Sequence, residues 1–320
     1  MKILLTGGAG FIGSHLAESL IKDGHELTVV DNLVTGDKEN IAHLQGLSEF
    51  RFIEGSIVDY KLMLKLVTEC DCIYHLAAAV GVKYVVDNPL DSLITNVRGT
   101  EIIFELAHVF NKKVFFASSS EVYGKDAQSP FKEHDDRIMG AVSKSRWGYA
   151  FAKGFDEFLA VAYSQQKKLP IIVGRLFNVC GPRQSSSYGM VIPRFIDQAL
   201  KNQPITVYGD GTQIRSFTYV DDVVNAVKNL MDAPDAQGEI FNIGSSQYVT
   251  INDLAGKIKD ICASESEIVH VPYSQVYGDN FEDMLYRVPD TSKFEQLTGI
   301  HVNVDLDKML KTIVNYHRGS

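Results

Sequence analysis

The first 31 residues constrain the fold more than any other stretch. Ile3-Leu4-Leu5 is a short continuous apolar run, the pattern of a strand buried on both faces of a parallel sheet, and it breaks at once into Thr6-Gly7-Gly8-Ala9-Gly10-Phe11-Ile12-Gly13. A helix starts at about Phe11, because Phe11, Ile12, Leu16, Leu20 and Ile21 recur at helical spacing, and Gly24 stops it. Leu27-Thr28-Val29-Val30 follows as a second strand and ends in Asp31. Strand, glycine turn, helix and strand in this order predict an α/β fold, a Rossmann-type doubly wound parallel sheet.

The turn also carries chemistry. Glycines at 7, 10 and 13 let the backbone turn tightly, approach a pyrophosphate and pack the helix on the strand, while the helix N-terminus presents free amides to phosphate. Asp31 is placed to accept hydrogen bonds from an adenosine ribose diol, and its charge repels a 2′-phosphate. The expected cofactor is therefore NAD and not NADP.

The alternation continues along the chain. Phe50 to Asp59 reads as a third strand running into a loop, Lys61 to Val67 as a helix, and Cys72-Ile73-Tyr74-His75-Leu76-Ala77-Ala78-Ala79 as a buried strand whose small terminal residues let a flat ligand lie against the backbone. His75, inside that apolar run, reads as a satisfied core histidine. Asn88 to Phe110 has helical periodicity in Leu90, Leu93, Ile94, Val97, Ile102, Ile103, Leu106 and Ala107, interrupted by Asn96. An apolar helix of this kind packs against a twin, which points to a homodimer.

Val114-Phe115-Phe116 opens the stretch on which a reaction would depend. It leads through Ser118-Ser119-Ser120-Glu121-Val122-Tyr123-Gly124 to Tyr149-Ala150-Phe151-Ala152-Lys153. Tyr149 and Lys153 are four residues apart and share one helical face. A hydroxyl, a phenol and an ammonium could meet there and take a proton from a sugar hydroxyl while a hydride leaves the carbon beneath it. Pro170 to Phe177 reads as the sixth parallel strand. The NAD-binding domain is thus expected over 1–177, and shorter elements over 178–320 predict a smaller α/β substrate lobe, with a strand near 237–245 returning to the larger domain.

Composition narrows the partners. With 320 residues, 45% hydrophobic and 22% charged, the chain can bury one large core with an attached lobe, and a formal net charge of -9 argues against nucleic acid or an anionic membrane. Cys70, Cys72, Cys180 and Cys262 have no zinc-ligand spacing, so packed thiols and no metal are expected. The N-terminus runs straight into the glycine turn, leaving no room for a signal-peptide core, and no apolar run approaches the ~20 residues of a membrane span, so a cytoplasmic protein is expected.

Thr6 to Gly13, His75-Leu76-Ala77-Ala78, Ser118 to Gly124, Tyr149-x-x-x-Lys153 and Gly181-Pro182-Arg183 together resemble the extended short-chain dehydrogenase/reductase family, and more narrowly its NAD-dependent nucleotide-sugar epimerases, dehydratases and decarboxylases. The resemblance runs nearly end to end. It implies that Tyr149 is the base at the sugar O4, that Ser119 hydrogen-bonds the same oxygen, and that Lys153 lowers the Tyr149 pKa and holds the nicotinamide ribose. It implies NAD contacts from Gly7, Gly10, Phe11, Ile12, Gly13, Asp31 and Asn32, and further ones from Ser56, Ile57, Leu76, Ala77, Ala78 and Asn96. For a UDP-sugar it implies Lys83, Val191, the pyrophosphate contacts Asn178, Arg215 and Arg287, and a uracil site made by the Val207 backbone and the Tyr208 ring.

The same resemblance leaves the fate of the C4 ketone open. The family's 4,6-dehydratases carry an Asp-Glu pair where this chain has Ser120-Glu121; the retained Glu121 is a candidate C5 base, whereas Ser120 is a poor proton donor. A Ser-Glu pair, Arg146-Trp147 and the Arg287 segment also resemble bacterial uronic-acid decarboxylases. The reading ranks 4,6-dehydration first, for example of UDP-GlcNAc, 4-epimerisation second and UDP-glucuronate decarboxylation third. A non-catalytic NAD-binding regulator is the reading from another class, and intact Ser119, Tyr149 and Lys153 argue against it.

Overall fold

The computed structural model describes residues 1–125, 130–144, 147–186, 190–277, 282–302 and 304–319 and, within them, all side chains but those of Val82, Lys83 and Tyr277. Six strands alternate with helices up to Leu176: β1 (Lys2–Thr6), β2 (Glu26–Asp31), β3 (Phe50–Glu54), β4 (Cys72–His75), β5 (Lys113–Ser119) and β6 (Ile171–Leu176). They lie in the order β3-β2-β1-β4-β5-β6, and the later strand Ile240–Ile243 pairs with β6 as the seventh member. Every pairing in the sheet is parallel. The fold is a Rossmann-type α/β sheet.

The apolar runs are continuous because both faces of the sheet are covered. In β1, Ile3 and Leu5 join one core with α1 (Phe11–Lys22) and the helix Val220–Asp232, while Leu4 joins the opposite core with Met63 and Leu66 of α2 (Tyr60–Glu69) and Ile103 and Phe104 of the helix Gly99–Val109. Burying each such side chain contributes ~1.5–3 kcal/mol. The strand order reverses at β1, between β2 and β4, which opens a crevice at the carboxyl ends of those strands.

The segment Asn88 to Phe110 is not one regular helix. Pro89–Leu93 is α-helical, Ile94–Arg98 is a π turn, and Gly99–Val109 is α-helical again. The π turn contains Asn96, whose carboxamide accepts from the Ala79 amide at 2.7 Å and donates to the Ala79 carbonyl at 3.2 Å. A side chain that must reach a neighbouring loop has displaced the regular period, as is frequent at functional sites.

The C-terminal half divides between two places. The helices Val191–Leu200, Ile251–Cys262 and Leu306–Gly319 enclose a core of Cys180, Phe195, Ile205, Leu254 and Ile313. The helix Val220–Asp232 and the residues Phe294 and Val302 instead pack into the core of the large sheet. The four cysteines are free and buried, and among the described residues no helix is long and apolar enough to cross a membrane.

Candidate active site

The crevice is a cleft of ≈ 930 Å³ between the sheet and the C-terminal lobe. Its floor is backbone. Gly7 has φ +75, a conformation that favours glycine, and a Cβ there would meet the Ala77 nitrogen at 2.7 Å; a Cβ on Gly13 would lie 2.1 Å from the Gly7 carbonyl oxygen. Helix α1 begins at Phe11, after a Gly10 N-cap that supplies no side-chain cap, so its first amides face the cleft. Asp31 lines the cleft with Asn32, and its two carboxylate oxygens accept from the Ala9 amide at 3.0 Å and the Leu33 amide at 2.9 Å. Burial pushes the Asp31 carboxyl above its ordinary value, and these amides oppose the shift. A carboxylate has about four acceptor sites, so these amides leave it capacity for a ribose hydroxyl. A glycine cradle without side chains, free amides for phosphate and a diol acceptor fit a dinucleotide.

Ser119, Tyr149 and Lys153 meet at the carboxyl end of β5. The Ser119 hydroxyl hydrogen-bonds the Tyr149 phenol. Lys153, on the helix Trp147–Lys167, donates to the Ala117 carbonyl at 2.9 Å and sits 4.4 Å from the centre of the Phe116 ring. Burial pushes the Tyr149 phenol well above its ordinary value, and the Glu121 charge adds to that, while Ser119 and Arg287 pull it back. Burial pulls the Lys153 ammonium down against the nearby carboxylates of Asp156 and Glu157.

The turn that carries these groups is held by a buried ion network. Ser118 donates to Glu157, which accepts from Arg175 Nε at 3.0 Å and also pairs with Arg137. Arg175 in turn donates to the Tyr123 hydroxyl at 2.7 Å, and Tyr123 donates to Asn242 Oδ1 at 2.7 Å. Breaking one partner of such a buried pair costs about 3–5 kcal/mol. The 3-10 turn Ser120–Tyr123 is therefore fixed from below, and the Ser119 hydroxyl caps it by accepting from the Glu121 amide at 3.3 Å.

Glu121 is itself paired. Its Oε1 accepts from Arg287, and the same guanidinium donates to Asn178 Oδ1, from Nε at 3.0 Å. Asn178 has φ 34, in the left-handed region, and donates to the Ser216 carbonyl at 2.7 Å. The ion pair thus brings residues 121, 178 and 287 together beside Tyr149.

Most of the expected site residues line this cleft: Gly7, Gly10, Phe11, Ile12, Gly13, Asp31, Asn32, Ile57, Leu76, Ala77 and Ala78 toward the dinucleotide, and Ser119, Ser120, Glu121, Tyr149, Lys153, Asn178, Val191, Tyr208, Arg215 and Arg287 further on. Three of the expected residues lie outside the lining of the cleft. Asn96 is fully buried and its amide is taken up by Ala79, so it shapes the loop Ala77–Gly81 from behind. Ser56 lies next to the cleft and accepts from the Val58 amide at 3.4 Å. Val207 is fully buried, and its strand Ile205–Tyr208 pairs with Ile268–Val271 through Ile205 N at 2.8 Å and Gly209 N at 2.9 Å. The alternation of a parallel ladder points the Val207 backbone the same way, toward that strand. The Lys83 side chain and Arg146 lie outside the described residues.

Sequence reasoning missed the surroundings of the far end. The Arg194 guanidinium stands 3.6 Å from the centre of the Tyr208 ring, and Arg215 pairs at 3.0 Å with Asp283, which also accepts from the Tyr273 hydroxyl at 2.6 Å. An arginine following Val191, Ile192 and Pro193 at the start of a helix was a legible signal, since it cannot turn to the core.

Residues 3–244 match the NAD dependent epimerase/dehydratase family. The chain belongs to this family, is an enzyme, and uses NAD. Over 99% of its length it is 44% identical to a UDP-N-acetyl-alpha-D-glucosaminuronate decarboxylase of Bacillus cytotoxicus, 98% of which is covered. It is 37% identical to UDP-glucuronic acid decarboxylase 1 of Danio rerio over 98% of this chain and 72% of that one. Its structure is similar to UDP-glucose 4-epimerase of Thermotoga maritima with UDP-glucose, at TM-score 0.90 and 31% identity, covering 100% of this chain and 99% of the other. It is also similar to a dTDP-glucose 4,6-dehydratase of Streptomyces venezuelae with NAD bound, at TM-score 0.90 and 27% identity, covering 100% and 97%.

Proposed function

We propose that this chain is a UDP-hexuronate decarboxylase that works as a homodimer. The observation that carries the reading is the Arg287 guanidinium held by Glu121 and Asn178 beside Tyr149, where a sugar C6 carboxylate requires a cationic partner. The decarboxylase relatives support it, and the 44% identical one makes an N-acetylated hexuronate the first candidate. Glu121 has Oε1 occupied by Arg287, which weakens the case for a free C5 base, and Ser120 supplies no carboxylic acid to expel a C6 hydroxyl. Decarboxylation therefore moves ahead of dehydration in the order the sequence suggests.

NAD held by the glycine turn and Asp31 would supply a reversible hydride acceptor for C4 and a positive ring that would favour ionised Tyr149. Tyr149 removes the O4 proton while Ser119 holds that oxygen, which leaves a ketone one carbon from the C5 that bears the carboxylate. Arg287 orients the carboxylate. The electrons of the breaking C5–C6 bond pass into the C4 carbonyl, and the developing enolate oxygen accepts hydrogen bonds from Tyr149 and Ser119. One solvent proton replaces carbon dioxide at C5, and Tyr149 returns its proton to O4.

UDP-glucuronate and UDP-N-acetylglucosaminuronate labelled with carbon-13 at C6 test this. Labelled carbon dioxide, a product lighter by that mass, and one deuterium at C5 in heavy water are expected. Arg287→Gln is expected to lower turnover about 100-fold with NAD binding kept. Loss of water from UDP-GlcNAc, with no carbon dioxide from either hexuronate, would sink the reading.

A further inference from the structure

Asp156 is fully buried, one turn along the catalytic helix from Lys153, and the scheme above gives it no task. Its Oδ2 accepts from the Thr100 hydroxyl at 3.3 Å, and its Oδ1 has no hydrogen-bond partner among the described residues. Thr100 Oγ1 lies 3.1 Å from His75 Nε2, His75 Nδ1 lies 2.7 Å from Thr6 Oγ1, and Thr6 Oγ1 accepts from the Ala77 amide at 3.1 Å. Thr6, His75 and Thr100 are fully buried as well. The chain of bonds starts at the floor of the dinucleotide cleft and passes beneath it to the neighbour of Lys153.

Counting protons gives this chain a direction. With Asp156 ionised, Thr100 donates to it and must accept from His75 Nε2–H, so His75 Nδ1 accepts from Thr6, whose oxygen accepts from Ala77. Every donor is then used. With Asp156 protonated on Oδ2 the sequence reverses, and the Thr6 hydroxyl proton is left without an acceptor in the chain. The arrangement is built to end in a carboxylate.

Among the described residues, the other groups around Lys153 leave it no second free counter-charge. On its own helix Glu157 is committed to Arg175 and Arg137, and Tyr149 is a phenol at rest; His75 on β4 is neutral; β5 offers the Phe116 ring and the Ala117 carbonyl. We propose that Asp156 is the counter-charge that keeps Lys153 an ammonium, a positioning residue that acts on the reaction through Lys153 and Tyr149. Burial pushes Asp156 up and Lys153 down, so each charge persists because of the other.

The inference rests on Tyr149 being the base and not on which sugar is used. The ionisation of Tyr149 in the NAD-bound enzyme can be read without substrate, as the phenolate absorbance difference between the enzyme and its Tyr149→Phe counterpart. Asp156→Asn is expected to raise the Tyr149 midpoint by about one pH unit, because Lys153 then sheds its proton and its help. Asp156→Glu should hold the original midpoint. Thr100→Val, which removes the one bond to the carboxylate and serves should Asp156→Asn fail to fold, should give a smaller rise. An unchanged midpoint in both variants, or a fall, overturns the proposal, since removing a negative charge beside a Lys153 that stays charged would make Tyr149 ionise more easily. Absence of carbon dioxide release would leave this result standing, and the reverse also holds.

Discussion

His75 shows what a single residue can report. It is fully buried between two threonine hydroxyls, and burial lowers its pKa from 6.5 to about 3, so it is neutral wherever the enzyme works. Between those two values the unfolded chain binds a proton that the folded protein refuses. Stability is therefore complete above the unfolded value and falls as pH drops through the window, by about 1.4 kcal/mol per unit. His75→Gln is expected to flatten that slope in urea unfolding at pH values from about 7 to about 5; equal slopes would mean that the folded protein takes up the proton. The sequence already marked His75 as core, because a lone histidine in an apolar run is rarely free. It could not show the threonines that flank it, which come from β1 and the helix Gly99–Val109, or the carboxylate beyond them.

At the scale of elements, the π turn Ile94–Arg98 is the clearest departure from periodicity. Asn96 was visible as an interruption in an apolar pattern, and the family resemblance assigned it to NAD. In the fold its carboxamide binds both backbone groups of Ala79, in the loop after β4. Asn96→Leu leaves a buried amide and carbonyl unpaired, at a cost of about 1–3 kcal/mol for each group. NAD binding should weaken about tenfold, measured by fluorescence titration, while the fold persists. Unchanged affinity would mean that the loop holds its shape without Asn96.

Among the described residues, one cluster of exposed apolar side chains spans two packed helical segments. Phe151, Phe155 and Phe158 share a face of the catalytic helix, and the segment Pro89–Arg98 packed against that helix exposes Leu90, Leu93 and Ile94. Phe158 is 72% and Leu90 67% exposed, too much for lone surface residues in a cluster of six. A second copy related by a two-fold axis would cover the face with itself. Sedimentation should find a dimer, and Phe155→Glu with Phe158→Glu should yield a folded monomer; a wild-type monomer would refute the assignment. The dimer expectation from sequence rested on the whole stretch Asn88 to Phe110, but Ile102, Ile103, Phe104 and Leu106 are buried against the sheet. The members of the exposed cluster come from the start of that stretch.

Local chemistry was therefore legible in the sequence itself. A glycine that must adopt φ +75, an acid at the end of β2, and a tyrosine and lysine one helical turn apart are each fixed by a spacing along the chain, because backbone geometry alone dictates it. What only the tertiary structure decided are the pairings between distant segments. Arg287 reaches Glu121 across 166 positions, Arg175 joins Glu157 beneath the catalytic turn, and Val207 turns its backbone to a neighbouring strand. Such contacts depend on which elements become neighbours, and a side chain's chemistry says what it can bind without saying what folding brings within reach.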